Sequence, residues 1–151
     1  MRRLLLAVTG LLSLFSASCS KKPQRGDVPS ELHKTFQVGQ VWEWKAPPEF
    51  PDAQLKIVRI EEDRRGGVIV HVSLAGVSYG DGNTTVAHLP FAAAAVEESV
   101  TELVRAPQEF PDFQEGYGVW KSAYEAGEAG VFTIPVAEAY EVVTGVLHDS
   151  E

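Results

Sequence analysis

The sequence predicts an α+β domain: a small curled antiparallel sheet of three to four strands, followed by about three helices packed on one face. Three observations lead there. Residues 36–88 alternate, or run β-branched, between short turns. From Pro90 onward the apolar period lengthens to that of helices. The alternating strand–helix pattern of a parallel sheet is missing, and 44% hydrophobic content suits one ordinary core.

Val41-Trp42-Glu43-Trp44-Lys45 alternates and puts both tryptophans on one face of a strand. Residues 46–52 hold three prolines, which cannot sit in a ladder, so they form a loop. Leu55 to Ile60 is a strand whose alternation slips at Ile57-Val58, the mark of a bulge or of burial on both faces. Asp63-Arg64-Arg65-Gly66-Gly67 is a turn. Val68 to Leu74 is the clearest strand, with Val68, Val70, Val72 and Leu74 on one face and Ile69, His71 and Ser73 on the other. That second face reads as polar, which makes His71 a surface or core-edge histidine. Asp81-Gly82-Asn83 is a second turn, and Thr84 to Ala87 a short fourth strand.

Phe91 to Val104 reads as a first helix with Pro90 near its first turn. Asp112 opens a second helix, with Glu115 three residues on as in a capping box and Gly127 as its stop. Phe113, Tyr117, Trp120 and Tyr124 fall at i, i+4, i+7 and i+11 and should form the buried face of that helix. Val131 to Ile134 is a short strand candidate, and Pro135 opens a last helix carrying Val136, Tyr140, Val143 and Leu147. Residues 47–54 and 107–114 match at six of eight positions, but nothing around them repeats, so they read as two similar punctuation elements.

The N-terminus has a different logic. Arg2 and Arg3 precede an apolar run from Leu4 to Phe15, and small residues follow it. This is the layout of a secretory signal, and the run is shorter than the roughly 20 residues a membrane span needs. Ser16-Ala17-Ser18-Cys19 resembles the lipobox of bacterial lipoprotein precursors, with Ser16 where that motif usually has leucine. The resemblance implies cleavage after residue 18 and acylation of Cys19, the only cysteine. Ser20 in place of aspartate implies the outer membrane, with the protein facing the periplasm. The chain then divides into a signal peptide (1–18), a lipidated polar tether (19–34) and one domain (35–151). Phe36-Gln-Val-Gly-Gln-Val-Trp42, His88-Leu-Pro-Phe91 and Val131-Phe-Thr-Ile-Pro-Val-Ala-Glu-Ala139 resemble segments of a group of small, uncharacterised bacterial proteins. That resemblance spans most of the mature chain and implies no activity.

The charge speaks to partners. Formal charge is −8 overall, and residues 97–151 hold twelve acidic side chains against Arg105 and Lys121. Such a balance excludes a general nucleic-acid binder, which needs a basic footprint. Glu98, Glu102 and Glu141 are the candidate contacts for a basic protein partner. No phosphate-binding loop, dinucleotide fingerprint or metal-ligand spacing is present, so no cofactor is expected. Gly76-Val77-Ser78-Tyr79-Gly80 matches the G-x-S-x-G of hydrolase nucleophile elbows, but turn residues follow where a helix is required. The triad order Ser, Asp, His could be met by Asp112 and His148, but His148 lies near the end of the sequence, where chains fray. The expectation is a non-enzymatic, lipid-anchored protein-binding module of the cell envelope. The alternatives are a serine hydrolase using Ser78, which needs that helix, and a small-ligand binder in the mouth of the sheet, which needs an open apolar pocket.

Cys19 yields the first test. Labelled fatty acid should enter the wild-type chain and not Cys19→Ser when each is expressed in a bacterial host; an unmodified mature N-terminus at Cys19 or beyond would end the lipoprotein reading.

Overall fold

The computed structural model of the chain describes residues 36–80 and 82–145. The expected signal peptide, the tether with Cys19 and His33, and also Asp81, Leu147 and His148, lie outside the described residues. The elements are β1 (Val41–Trp44), β2 (Gln54–Glu62), β3 (Val68–Tyr79), β4 (Asn83–Ala92), α1 (Ala93–Ser99), β5 (Val100–Leu103), α2 (Gln114–Ala126) and α3 (Val136–Thr144). The class is α+β. The sheet has five antiparallel strands in the order β4-β3-β2-β1-β5, one more than the sequence reading allowed.

The extra strand comes out of the expected first helix. Phe91 and Ala92 finish β4, and only Ala93–Ser99 is helical. Val100–Leu103 returns to β1, pairing Val100 with Trp44 and Leu103 with Trp42. Bonds from Lys45 N–H to the Ser99 carbonyl (2.8 Å) and from Val104 N–H to the Val41 carbonyl (2.8 Å) frame it. Pairing with β1 outweighs the weak helical preference of Val100 and Thr101. Pro90 lies in β4, an edge strand, where its missing N–H leaves no central ladder broken. Its carbonyl accepts from Phe132 N–H (2.9 Å), and the Phe132 carbonyl accepts from Ala92 N–H (2.9 Å). The strand expected at 131–134 is thus one parallel bridge onto the β4 edge.

Other readings fall where expected. The slip at Ile57-Val58 is a bulge: the β2–β3 register shifts between Ile57 and Arg59, and both Ile57 and Val58 are buried. Asp63 closes the β2–β3 turn by accepting Gly67 N–H on its side chain and donating its own N–H to the Gly67 carbonyl. Gly127 ends α2 in the left-handed conformation. The two matching segments touch each other: the Gln108 side-chain amide donates to the Asp52 carbonyl and the Gln108 backbone N–H donates to Gln54 Oε1, each at 2.9 Å.

The sheet is curled. α1 directly joins β4 to β5, the two edge strands, and its span from Ala92 to Val100 is about 12 Å. A flat sheet would hold those edges about 19 Å apart, across four gaps of about 4.8 Å. The concave side is filled by Trp42, Trp44, Leu55, Ile57, Val70, Val72, Leu74 and Phe91 with Ala95 and Val96 of α1 and Val136, Ala139 and Tyr140 of α3. Ser99 ties these helices together, its hydroxyl accepting Val136 N–H (2.9 Å) and donating to the Ala95 carbonyl (2.7 Å).

The helices do not share one face. The Ile69–His71–Ser73 row of β3 is fully buried, and the rings of α2 lie over His71. α2 therefore covers the opposite side of the sheet from α1 and α3. Of its aromatic stripe Trp120 is buried, while Phe113, Tyr117 and Tyr124 are half-buried at the rim. The Trp120 indole N–H donates to the Gly130 carbonyl (2.8 Å) and its ring stacks on Tyr124 at 4.7 Å. Trp120→Ala should cost about 3–5 kcal/mol, read by urea unfolding. An unchanged midpoint would show that α2 is not held by this ring.

Candidate functional site

Where α2 crosses β2, β3 and β4, the sheet carries a row of polar side chains. Glu61 sits near the end of β2. His71 lies on β3, one strand over, and His88 on β4 beyond it. His71 pairs in register with Pro90, which places His88 diagonally across the hairpin on the same face. The His71 Nδ1 and His88 Nε2 atoms are 2.9 Å apart and the rings stack at 5.1 Å. On the other side His71 Nε2 faces Glu61 Oε1 at 3.6 Å and makes no hydrogen bond.

Glu61 is the hub. It accepts from Tyr117 Oη (3.0 Å), Lys121 Nζ (3.2 Å) and Arg59 Nε (3.2 Å). Arg59 also lies over the Tyr117 ring at 4.5 Å. Burial works to raise the Glu61 pKa, but the bonds from Arg59, Tyr117 and Lys121 outweigh it and hold the carboxyl below its ordinary value. The carboxylate in turn raises the Lys121 ammonium, mainly through their hydrogen bond. Burial raises the Tyr117 hydroxyl, and Glu61 adds to it.

This charge arrangement sets the protons on the imidazoles. Burial, reinforced by His88, pushes His71 down to about 4 against the pull of Glu61. Burial does the same to His88, again to about 4. Both rings are neutral at pH 7. An ionised Glu61 3.6 Å from His71 Nε2 favours the proton on that nitrogen. His71 Nδ1 is then an acceptor, and His88 Nε2 must supply the hydrogen of the 2.9 Å contact. His88 Nδ1 is left with a bare lone pair. A carboxylate thus fixes, through one ring, the tautomer of a second.

His88 is half-buried and lines a groove of about 680 Å³ between β4 and α2. Val86, Pro90, Val119, Trp120, Ala123 and Ala129 give it an apolar lining, with Asp112 and Glu115 where α2 begins. Val119 is 70% exposed. α2 approaches closely here: a Cβ on Gly116 would stand 3.0 Å from the His88 Cβ, so the helix can lie against β4 only without a side chain there. Asp112 accepts Gln114 N–H (2.9 Å) from just before α2, whose N-cap is Phe113, and the capping-box pairing expected between Asp112 and Glu115 is not formed.

The expected site residues lie elsewhere. Ser78 is exposed near the end of β3, and its carbonyl accepts from Tyr140 Oη (2.7 Å). A hairpin into β4 follows it, so the strand-to-helix turn of a nucleophile elbow is not formed. Gly76 serves a bulge instead: its φ is +76°, and an added Cβ would meet the Ala53 Cα at 3.2 Å. Glu98 is exposed on α1, Glu102 exposed on β5 rather than helical, and Glu141 half-buried on α3. None of the three lines the groove. The polar row leaves no signal along the chain, because His71 and His88 are 17 residues apart. Only the β3–β4 hairpin puts them side by side. Among the described residues, no group of three His, Cys, Asp or Glu could hold a metal ion, and no helix is long and apolar enough to cross a membrane. Compared with known protein families, curated proteins and solved structures, the chain finds no match.

The histidine pair makes stability depend on pH. Both folded values lie below the ordinary 6.5, so protons favour the unfolded chain. This contribution is complete above about pH 6.5 and is lost as pH falls towards about 4, where the folded rings begin to protonate as well. The expected loss is about 2–3 kcal/mol, mostly from His71, since solvent screens the share of half-buried His88. The loss due to Glu61 falls lower, below its ordinary 4.5. Melting between pH 7 and pH 4.5 should therefore decline less steeply in a His71→Leu/His88→Leu double variant than in wild type.

Proposed function

We propose that this chain is an exported, lipid-anchored, non-enzymatic protein-binding module of the bacterial cell envelope, and that the groove between β4 and α2 is its binding surface. One observation carries the reading: an apolar trough of about 680 Å³ is left open, with Val119 70% exposed on its rim. Exposed contiguous apolar surface beside a rigid, buried aromatic cluster is what partner sites present. The His71, Trp120 and Tyr124 rings supply that rigidity. In this reading Glu98, Glu102 and Glu141 belong to the acidic field that speeds the approach of a basic partner.

The volume also lies in the range of small-molecule sites, which favours a ligand binder as the second reading. Such sites enclose most of their ligand, whereas a wall as exposed as Val119 suits a segment of a larger partner.

The test is capture from envelope extracts with wild-type and Val119→Arg chains that melt alike. A protein retained by wild type and reduced at least about tenfold by the variant supports the groove, since a charge placed in an apolar contact is strongly unfavourable. Retention unchanged by Val119→Arg would move binding to another face. A small molecule carried by wild type in native mass spectrometry, with no protein, would put the second reading first.

A further inference from the structure

Resting on the groove as the binding surface, we infer its occupant: a segment of a protein partner that carries a lysine or arginine flanked by apolar side chains.

The polar lining decides the chemistry. Four side chains with polar atoms face the groove: His88, Asp112, Glu115 and Trp120. The Trp120 N–H is already given to the Gly130 carbonyl. Asp112 takes one backbone N–H from Gln114 and keeps its second oxygen. Glu115 is exposed and has no partner among the described residues. His88 offers the lone pair of Nδ1, because its other nitrogen bonds His71. The groove therefore presents acceptors and two negative charges, with no side-chain donor to spare. An occupant that brings acceptors would leave them unmatched beside carboxylates, which costs more than the apolar contact returns. One that brings an ammonium or guanidinium matches both the charge and the hydrogen bonds.

Three cations packed against α2 are committed elsewhere. Lys121 and Arg59 bond Glu61, and Arg64 donates to the Glu125 carbonyl (3.0 Å) while lying over the Tyr124 ring. Among the described residues, no basic side chain lines the groove. No side-chain cation among them offsets Asp112 and Glu115, and the two adjoin an apolar trough. A lysine or arginine fits both parts, its aliphatic stem along Val119 and Ala123 and its head at Asp112 and Glu115. Neighbouring apolar side chains of the partner would cover Val86, Pro90 and Trp120.

The experiment pans a displayed random-peptide library on the immobilised full-length chain and measures the selected peptides against variants. Selected sequences should share a basic residue with apolar neighbours. Their binding should vanish in Val119→Arg and weaken about five- to tenfold in Asp112→Asn/Glu115→Gln, whose melting should stay near wild type. A similar weakening is expected from about 0.05 M to about 0.5 M salt. Peptides lost on Val119→Arg but acidic or neutral, and indifferent to the double variant and to salt, would overturn the basic occupant and leave the groove standing. A wild-type chain that sediments as a dimer and becomes a monomer on Val119→Arg would make a second copy the occupant and overturn the inference. Peptides that bind Val119→Arg as well as wild type would defeat both the inference and the groove.

Discussion

Seven helical residues separate the two edges of this sheet, and the rest of the architecture answers to that short connection. β4 and β5 are outermost in space yet adjacent in the chain, with only α1 between them. A helix of that length cannot bridge a flat five-stranded sheet, so the sheet must curl towards it. The curl encloses a narrow concave core, which Phe91, Tyr140 and the two sheet tryptophans fill. Bulges at Val58 in β2 and beside Gly76 in β3 relieve the strands where they bend.

The same curl leaves a second face to be covered. β3 is the second strand in from the β4 edge, and its outer row begins with Ile69 and continues with His71 and Ser73. Two polar side chains there would favour solvent, but both are fully buried, and the rings of α2 lie over His71. Burial is tolerated because partners are supplied: Ser73 donates to the Ala87 carbonyl, and His71 bonds His88. The remaining His71 nitrogen has only a carboxylate at 3.6 Å. That contact is too long for a hydrogen bond but sets an electrostatic direction, so it orders protons more than it adds stability.

The proposed binding groove and the buried polar row meet at α2. One side of the helix is spent on the sheet through Tyr117, Trp120 and Lys121. The adjoining side, with Glu115, Val119 and Ala123, overhangs β4 and forms the groove. A partner there would rest on Trp120, whose far side packs on the histidines. Occupancy of the groove and protonation of the buried pair are thereby in contact through one ring.

Much of this was legible in the chain itself. Period-2 alternation marked the strands around Trp42 and Val70, and period-3.6 recurrence marked α2 and α3, because those patterns follow from backbone geometry alone. The bulge at Val58, the turn at Asp63 and the stop at Gly127 were equally local. What depended on distant residues was not legible. Val100–Leu103 became a strand because β1 offered an unpaired edge, against the reading of the whole segment as helix. His71 became a buried residue because α2 packed where the alternation pattern promised solvent. Its partners Glu61 and His88 arrived from flanking strands in a register that two bulges help to set. Local sequence determines which way each side chain points from its own strand or helix; what lies opposite is decided only when the strands pair and the helices choose their faces.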